Sequence, residues 1–261
     1  MHPNHIRAME AVTRQFQPQE DVLAVLVGGS IAHGFAADDA DLDILIVLTD
    51  AGYERAAHEN RLFYYDTTAC DYPGGYVDGK CITLAYIRQV IESGSEPARF
   101  AFAGAFPAFS KVDGLEDMIR AAARYPTEKR QDNINRFYAQ FETWKWYYYE
   151  GIRHENRFLS DYCLSQYVLF AGRLFLALNA TLYPSYKWFL RVLEQVADKP
   201  ADLMDRMHAV VERKDAESVE ALYRCVMAHA EWYREERHWC ERFMLDSQLN
   251  WLDGPVPVAE L

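Results

Sequence analysis

Cysteine is sparse and unpatterned in this chain. Cys70, Cys81, Cys163, Cys225 and Cys240 are odd in number and form no CxxC pair. That excludes a disulfide framework or a cysteine-built zinc site and points to a reducing compartment. The eight histidines show no HExxH or comparable ligand spacing, so nothing indicates a metal site built on imidazole. Basic charge is also short. The formal net charge is −12. Residues 1–124 carry 10 Lys+Arg against 18 Asp+Glu, a net of −8, and the remainder carries 17 against 21, a net of −4. Neither half reads as an electrostatic binder of nucleic acid. The acidity suits a cationic acceptor, and it is equally a common aid to solubility. Long apolar runs are missing: the longest stretch, 168–182, is interrupted by Arg173 and is too short to span a bilayer. Arg7, Glu10 and Arg14 leave no signal-peptide h-region near the first residue. The expectation is a cytoplasmic protein without a membrane segment. No repeat, low-complexity tract or disorder-like composition occurs.

What is present is material for a core. The chain has 261 residues, half of them hydrophobic and 14% aromatic, enough for one large domain or two modest ones. Continuous apolar runs at 22–27 and 42–48 read as buried strands, and 75–84 as a third strand. A shorter strand is expected near 106–111. Helical periodicity marks 4–16, 51–62, 84–93, 96–103 and 114–124. Strands interspersed with helices indicate a mixed α/β layer with a small sheet. From about Pro126 the character changes. Phe137, Phe141, Trp144 and Tyr148 recur at helical spacing, and so do Leu164, Val168, Ala171 and Phe175. Helices are expected at 126–153, 159–180, 185–197, 201–213 and 215–244, which together make an all-α bundle. The aromatic stripes read as its packed core. The expected organisation is therefore 1–124 as an α/β domain, 125–252 as a helical bundle and 253–261 as a loose tail.

One stretch carries chemistry. The strand at 22–27 runs into Gly28-Gly29-Ser30-Ile31-Ala32-His33-Gly34, and the next strand opens with Asp41-Leu42-Asp43-Ile44. Side chains alternate along a strand, so Asp41 and Asp43 share one face while Leu42 and Ile44 point to the core. Adjacent carboxylates repel unless a cation lies between them. A hard divalent ion such as Mg²⁺ prefers carboxylate oxygens and can bridge the phosphates of a nucleotide. Gly28 and Gly29 permit close backbone approach, Ser30 is placed to cap a following helix, and the amides there suit an anion. Together these features read as metal-assisted phosphoryl or nucleotidyl transfer.

The same residues resemble the signature of the polymerase-β-like nucleotidyltransferase superfamily: a Gly-Gly/Ser turn, a spacer of about ten residues, then Asp-x-Asp. The segment is similar to the antibiotic-modifying branch, whose members also place a helical bundle after the catalytic domain. The resemblance as a motif covers about residues 27–48. It implies Mg²⁺ at Asp41, Asp43 and a third carboxylate, Asp78 in Tyr76-Val77-Asp78-Gly79-Lys80, with Asp66 and Asp71 as fallbacks. It implies that Asp78 helps to orient or deprotonate the acceptor hydroxyl. It further implies nucleotide contacts from Gly28, Gly29, Ser30 and His33, and from Lys187, which follows Pro184 and precedes Trp188. Ala40 departs from the family, where Ser commonly precedes the first aspartate. The implied activity is transfer of a nucleoside monophosphate from an NTP, ATP foremost, to a hydroxyl of a small molecule, with an aminoglycoside antibiotic among the candidates. Glu142, Glu150, Glu155 and Asp161 are available in the bundle as a general base. Two other readings stay open. One is AMPylation of a protein or RNA partner in an antitoxin-like role. The other is a nuclease built on Arg224 and His229, which loosely match an Arg-x4-6-His pattern. The sequence does not fix the acceptor, the base of the donor or the oligomeric state.

Overall fold

The computed structural model of the chain describes residues 1–254 and 256. The chain forms two compact units, Met1–Tyr125 and the chain from Pro126 onward. Of the tail expected at 253–261, all but residues 253, 254 and 256 lies outside the described residues.

The first unit begins with α1 (Pro3–Phe16). Its N-cap is His2, whose ring nitrogen accepts from the Asn4 amide, and Pro3 occupies the first turn, where a missing N–H costs nothing. His5, Ala8, Val12 and Phe16 are its buried stripe. There follow β1 (Val22–Val27), α2 (Gly29–Ala32), β2 (Leu42–Leu48), α3 (Asp50–His58), β3 (Phe63–Asp66), β4 (Val77–Thr83), α4 (Leu84–Ser93), α5 (Glu96–Phe100), β5 (Phe106–Ser110) and α6 (Leu115–Ala122). The sheet has the order β3-β4-β2-β1-β5. β2 and β4 pair in parallel, and every other pairing is antiparallel.

Both faces of this sheet are covered, which is why β1 and β2 read as unbroken apolar runs. One face packs Val25, Val27, Ile44 and Ile46 against Ala8, Val12 and Phe16 of α1. The other packs Ala24, Leu26 and Val47 against Ile87 and Val90 of α4 and Leu115 and Ile119 of α6. Thr49 and Thr83 end the two parallel strands and cap the helices that follow, accepting from the amides of Gly52 (3.0 Å) and Tyr86 (3.1 Å).

β3 was not expected from the sequence, because the helical reading of 51–62 runs through to its threshold. The helix stops early. Asn60 takes a left-handed φ of 57°, and the Arg61 amide returns to the Ala56 carbonyl at 2.7 Å. The released chain pairs with β4.

The second unit is helical: α7 (Arg130–Arg153), α8 (Arg157–Leu178), α9 (Phe189–Gln195), α10 (Leu203–Arg213), α11 (Ala216–His229) and α12 (Trp239–Phe243). The expected order, a small mixed sheet followed by a helical region, is the one observed. Asn156 caps α8 from the turn after α7, accepting from the Leu159 amide at 3.1 Å. Beside that turn a Cβ on Gly151 would lie 2.9 Å from the Ser160 amide nitrogen, so α7 and α8 meet backbone to backbone there. Buried tyrosines keep partners: Tyr167 donates to the Val219 carbonyl at 3.1 Å and Tyr148 to that of Lys214 at 3.2 Å.

The single helix expected at 215–244 is corrected. The helix ends at His229, and Ala230 is extended. Trp232 is the reason. Its ring is buried against Phe175 at 5.2 Å, and its indole N–H donates to the Val226 carbonyl at 2.9 Å. The Arg234 amide then donates to Asn135 Oδ1 at 3.0 Å. These bonds replace the helical ladder that the periodicity alone would continue.

Candidate functional site

The site is assembled at one end of the β2–β4 pair. Asp43 lies opposite Asp78 in parallel register, and Leu42 lies opposite Val77. The two carboxylates therefore leave the sheet on the same face, and alternation puts Asp41 there too. The structure brings the three together: one oxygen from each of Asp41, Asp43 and Asp78 falls within 4.8 Å of the others, and all three residues are half-buried. Two carboxylates that close repel by roughly 1 kcal/mol with the screening of bulk water and by up to ~4 kcal/mol at the effective dielectric of a protein surface. Such a cluster can hold a cation between its oxygens.

The Gly28-Gly29-Ser30 turn is built against these aspartates. The Gly28 amide donates to the Asp43 carbonyl at 2.9 Å. Gly29 has φ +57°, and a Cβ there would run into the Asp43 carboxylate. Only glycine satisfies both demands. Ser30 does not cap the following helix as the sequence suggested. Gly28 holds the cap position and Ser30 sits within the first turn. Its Oγ is buried without a hydrogen-bond partner, an arrangement that costs about 1–3 kcal/mol. The Ser30 carbonyl accepts from the amides of Phe35 and Ala36, which closes the loop toward Asp41.

His33 is held from behind the turn. Its ring packs on Phe100 at 4.2 Å, beside the Ala103 backbone. Burial lowers its pKa below the ordinary 6.5, so the ring is neutral near pH 7. Gly104 supports the same wall: its φ is +73°, and a Cβ there would strike the Ala32 carbonyl.

Other sequence candidates have surroundings of their own. Asp66 accepts from the amide and hydroxyl of Thr68 and from Tyr64 OH, and those bonds lower its pKa. Asp71 is paired with Arg7 at 2.7 Å, and the bond holds its pKa low. Lys187 belongs to the helical unit. It is exposed on a 3-10 turn, Tyr186–Trp188, 5.3 Å from the Trp188 ring. Ser185, just before it, has φ 71° and ψ 176°, a region that residues other than glycine occupy only at a cost. His229, from the loose nuclease pattern, is bonded to Asp198 at 2.9 Å and packs on Phe175 at 5.1 Å.

Two aromatic residues of the site were missed. Tyr76 lies beside Asp41, and the charge of that carboxylate raises the phenol pKa. Tyr72 OH donates to the Ala40 carbonyl at 2.7 Å and fixes the residue before Asp41. A signal for Tyr76 existed, since it lies two residues before Asp78 and shares its face.

The donor set fits a hard divalent cation: three carboxylates, converging, with an unpartnered hydroxyl in the adjoining turn. No helix among the described residues is long and apolar enough to cross a membrane. No family profile matches the sequence, and no curated protein matches it either. A likeness does emerge in three dimensions. The crystal structure of a nucleotidyltransferase-like protein from Exiguobacterium sibiricum superposes with a TM-score of 0.50 at 9% sequence identity, covering 97% of this chain and 82% of that one. With so little identity the likeness speaks for architecture, and the chain has the fold of that nucleotidyltransferase-like protein.

Proposed function

We propose that the chain transfers a nucleoside monophosphate from an NTP, ATP foremost, to a hydroxyl of a small-molecule acceptor. The observation that carries this reading is the convergence of Asp41, Asp43 and Asp78 beside a glycine turn moulded to Asp43. Mg²⁺ held by the three carboxylates would neutralise charge on the triphosphate during displacement. The turn at Gly28-Gly29-Ser30 receives phosphate oxygens, and the Ser30 hydroxyl gains the hydrogen bond it lacks. Asp78 orients the acceptor hydroxyl and takes up its proton as the oxygen attacks the α-phosphorus in line and pyrophosphate departs. Tyr76 flanks Asp41, and Tyr72 holds the residue before it through the Ala40 carbonyl. Neutral His33 adds no charge and braces the turn from below. An aminoglycoside is a suitable first acceptor for the net −8 of residues 1–124.

Calorimetric titration of each NTP, with and without Mg²⁺, tests the reading. One NTP is expected to bind only with metal, and its affinity should fall at least about 100-fold, or roughly 2.7 kcal/mol, in Asp41→Asn/Asp43→Asn. Equal binding by that variant, or no Mg²⁺-dependent binding by the wild type, would overturn it.

A further inference from the structure

The edge of the sheet beside the carboxylates is aromatic, and folding does not account for it. β3 is the terminal strand. Phe63 and Tyr65 on it are 62% and 56% exposed. Edge strands are usually short or blunted with charge, because exposed apolar side chains there invite aggregation. This strand is short but carries two large exposed rings.

Register places these rings at the site. Tyr65 lies opposite Asp78, and Phe63 lies opposite Lys80. The Leu62 carbonyl accepts from the Cys81 amide at 2.8 Å. Hydrogen-bonded and non-bonded pairs alternate in an antiparallel ladder. Phe63–Lys80 and Tyr65–Asp78 are therefore the non-bonded pairs, whose side chains approach most closely. The rings form a row. Phe63 and Tyr65 stack with centroids 6.5 Å apart and planes at 21°. Tyr65 and Tyr76 follow at 5.3 Å and 36°. At its inner end the row reaches the cluster, because Tyr65 lies opposite Asp78 in register and Tyr76 comes two residues before it.

We infer that Phe63, Tyr65 and Tyr76 are a stacking platform for the acceptor, holding a ring face-down so that its hydroxyl meets Asp78. This rests on the transfer proposed above and says which part of the site selects the acceptor. Aromatic faces attract the C–H faces of rings and attract cations. Asp41, Asp43 and Asp78 repel anions at the inner end of the row, where the ring meets Asp78; the cations Lys80 and Arg61 lie toward Phe63 at the outer end. The platform therefore takes an unphosphorylated ring with neutral or cationic substituents. A phosphorylated sugar or an RNA end is rejected by the same charges.

Saturation-transfer NMR with D-glucosamine and D-glucosamine 6-phosphate tests this without turnover. Because both rings are exposed, Phe63→Ala/Tyr65→Ala should fold, which circular dichroism and Tm would verify. Glucosamine ring protons are expected to saturate on the wild type, and binding should weaken about tenfold in the double variant. Tyr65→Phe should retain it, and the 6-phosphate should bind more weakly than glucosamine. Mg²⁺-dependent NTP binding should be unchanged in the double variant. Absence of saturation on the wild type, equal saturation of the double variant, or equal binding of the phosphate would overturn the platform. Loss of NTP binding by the wild type would instead overturn the transfer reading and leave the ring measurement standing.

Discussion

Carboxylates are handled in opposite ways in the helical unit and at the end of the β2–β4 pair. In the helical unit they are neutralised within the fold. Arg242, only 12% exposed in its side chain, binds Asp132 at 2.7 Å, Asp246 at 2.9 Å and Glu235 at 3.2 Å. Glu142 accepts from Tyr138 and Tyr223, Asp161 pairs with Lys214 at 2.9 Å, and Glu150 pairs with Arg153. Three of the four acidic residues considered as a general base thus have structural partners in their own unit. At that strand end Asp41, Asp43 and Asp78 are gathered against one another with Tyr76 beside Asp41, whereas elsewhere in the sheet unit Asp71 pairs with Arg7 and Asp21 with Arg55. The difference teaches where to look. Carboxylates that stabilise a fold come with hydroxyl donors or cations supplied by the fold itself. Carboxylates that serve a ligand are collected at a cost that the ligand removes.

Substitutions can break or sharpen that contrast. The largest effect is expected from Gly29→Ala, which combines a positive φ with a collision against Asp43. It should lower unfolding stability by about 3 kcal/mol in a denaturant titration. A neutral outcome would mean that the turn is not moulded to the carboxylate. Arg242→Ala should cost about 2 kcal/mol by leaving Asp132, Glu235 and Asp246 short of a shared cation, while Mg²⁺-dependent NTP affinity stays within twofold or so. Asp43→Asn carries the opposite sign. In EDTA it should raise stability by about 1 kcal/mol as repulsion is relieved, and added Mg²⁺ should stabilise the wild type but not the variant. A destabilised Asp43→Asn protein in EDTA would show that the cluster is structural after all.

The smallest effect concerns His33. Its folded pKa lies below the ordinary 6.5 because burial disfavours the cation. The unfolded chain therefore binds a proton at a pH where the folded chain does not. Stability should fall as pH drops below about 6.5. Unfolding midpoints between pH 7 and pH 5 should show a shallower loss in His33→Gln. An unaltered slope would remove His33 from the account. His5, also lowered by burial, supplies part of what remains.

Much of this was legible because β1 and β2 are buried on both faces and so keep their apolar runs from end to end. The spacing of Asp41 and Asp43 follows from strand alternation alone. Asp78 is a different case. Its place beside Asp43 depends on a parallel pairing made across intervening residues, which no local spacing encodes, and only family resemblance pointed to it. β3 was hidden because Phe63–Asp66 is four residues long and follows a helix that ends on a left-handed asparagine. The overlong helix at 215–244 failed because the burial of Trp232 outweighs periodicity. Ser30 was misread because the cap falls to Gly28, whose position depends on the Asp43 carbonyl.

The pairing of Asp43 with Asp78 also separates site geometry from chain length. Two of the three carboxylates are locked by neighbouring strands, so the tight turn just before β4 can change length without moving them. Gly74 marks where. It has φ +77°, and a Cβ there would meet nothing within 4 Å. Inserted residues at that turn would extend into open space within a short reach of Tyr76 and Asp78. It is a natural port for evolution to add a specificity loop, and for an experimenter to place a fluorescent reporter that senses ligand arrival without entering the sheet.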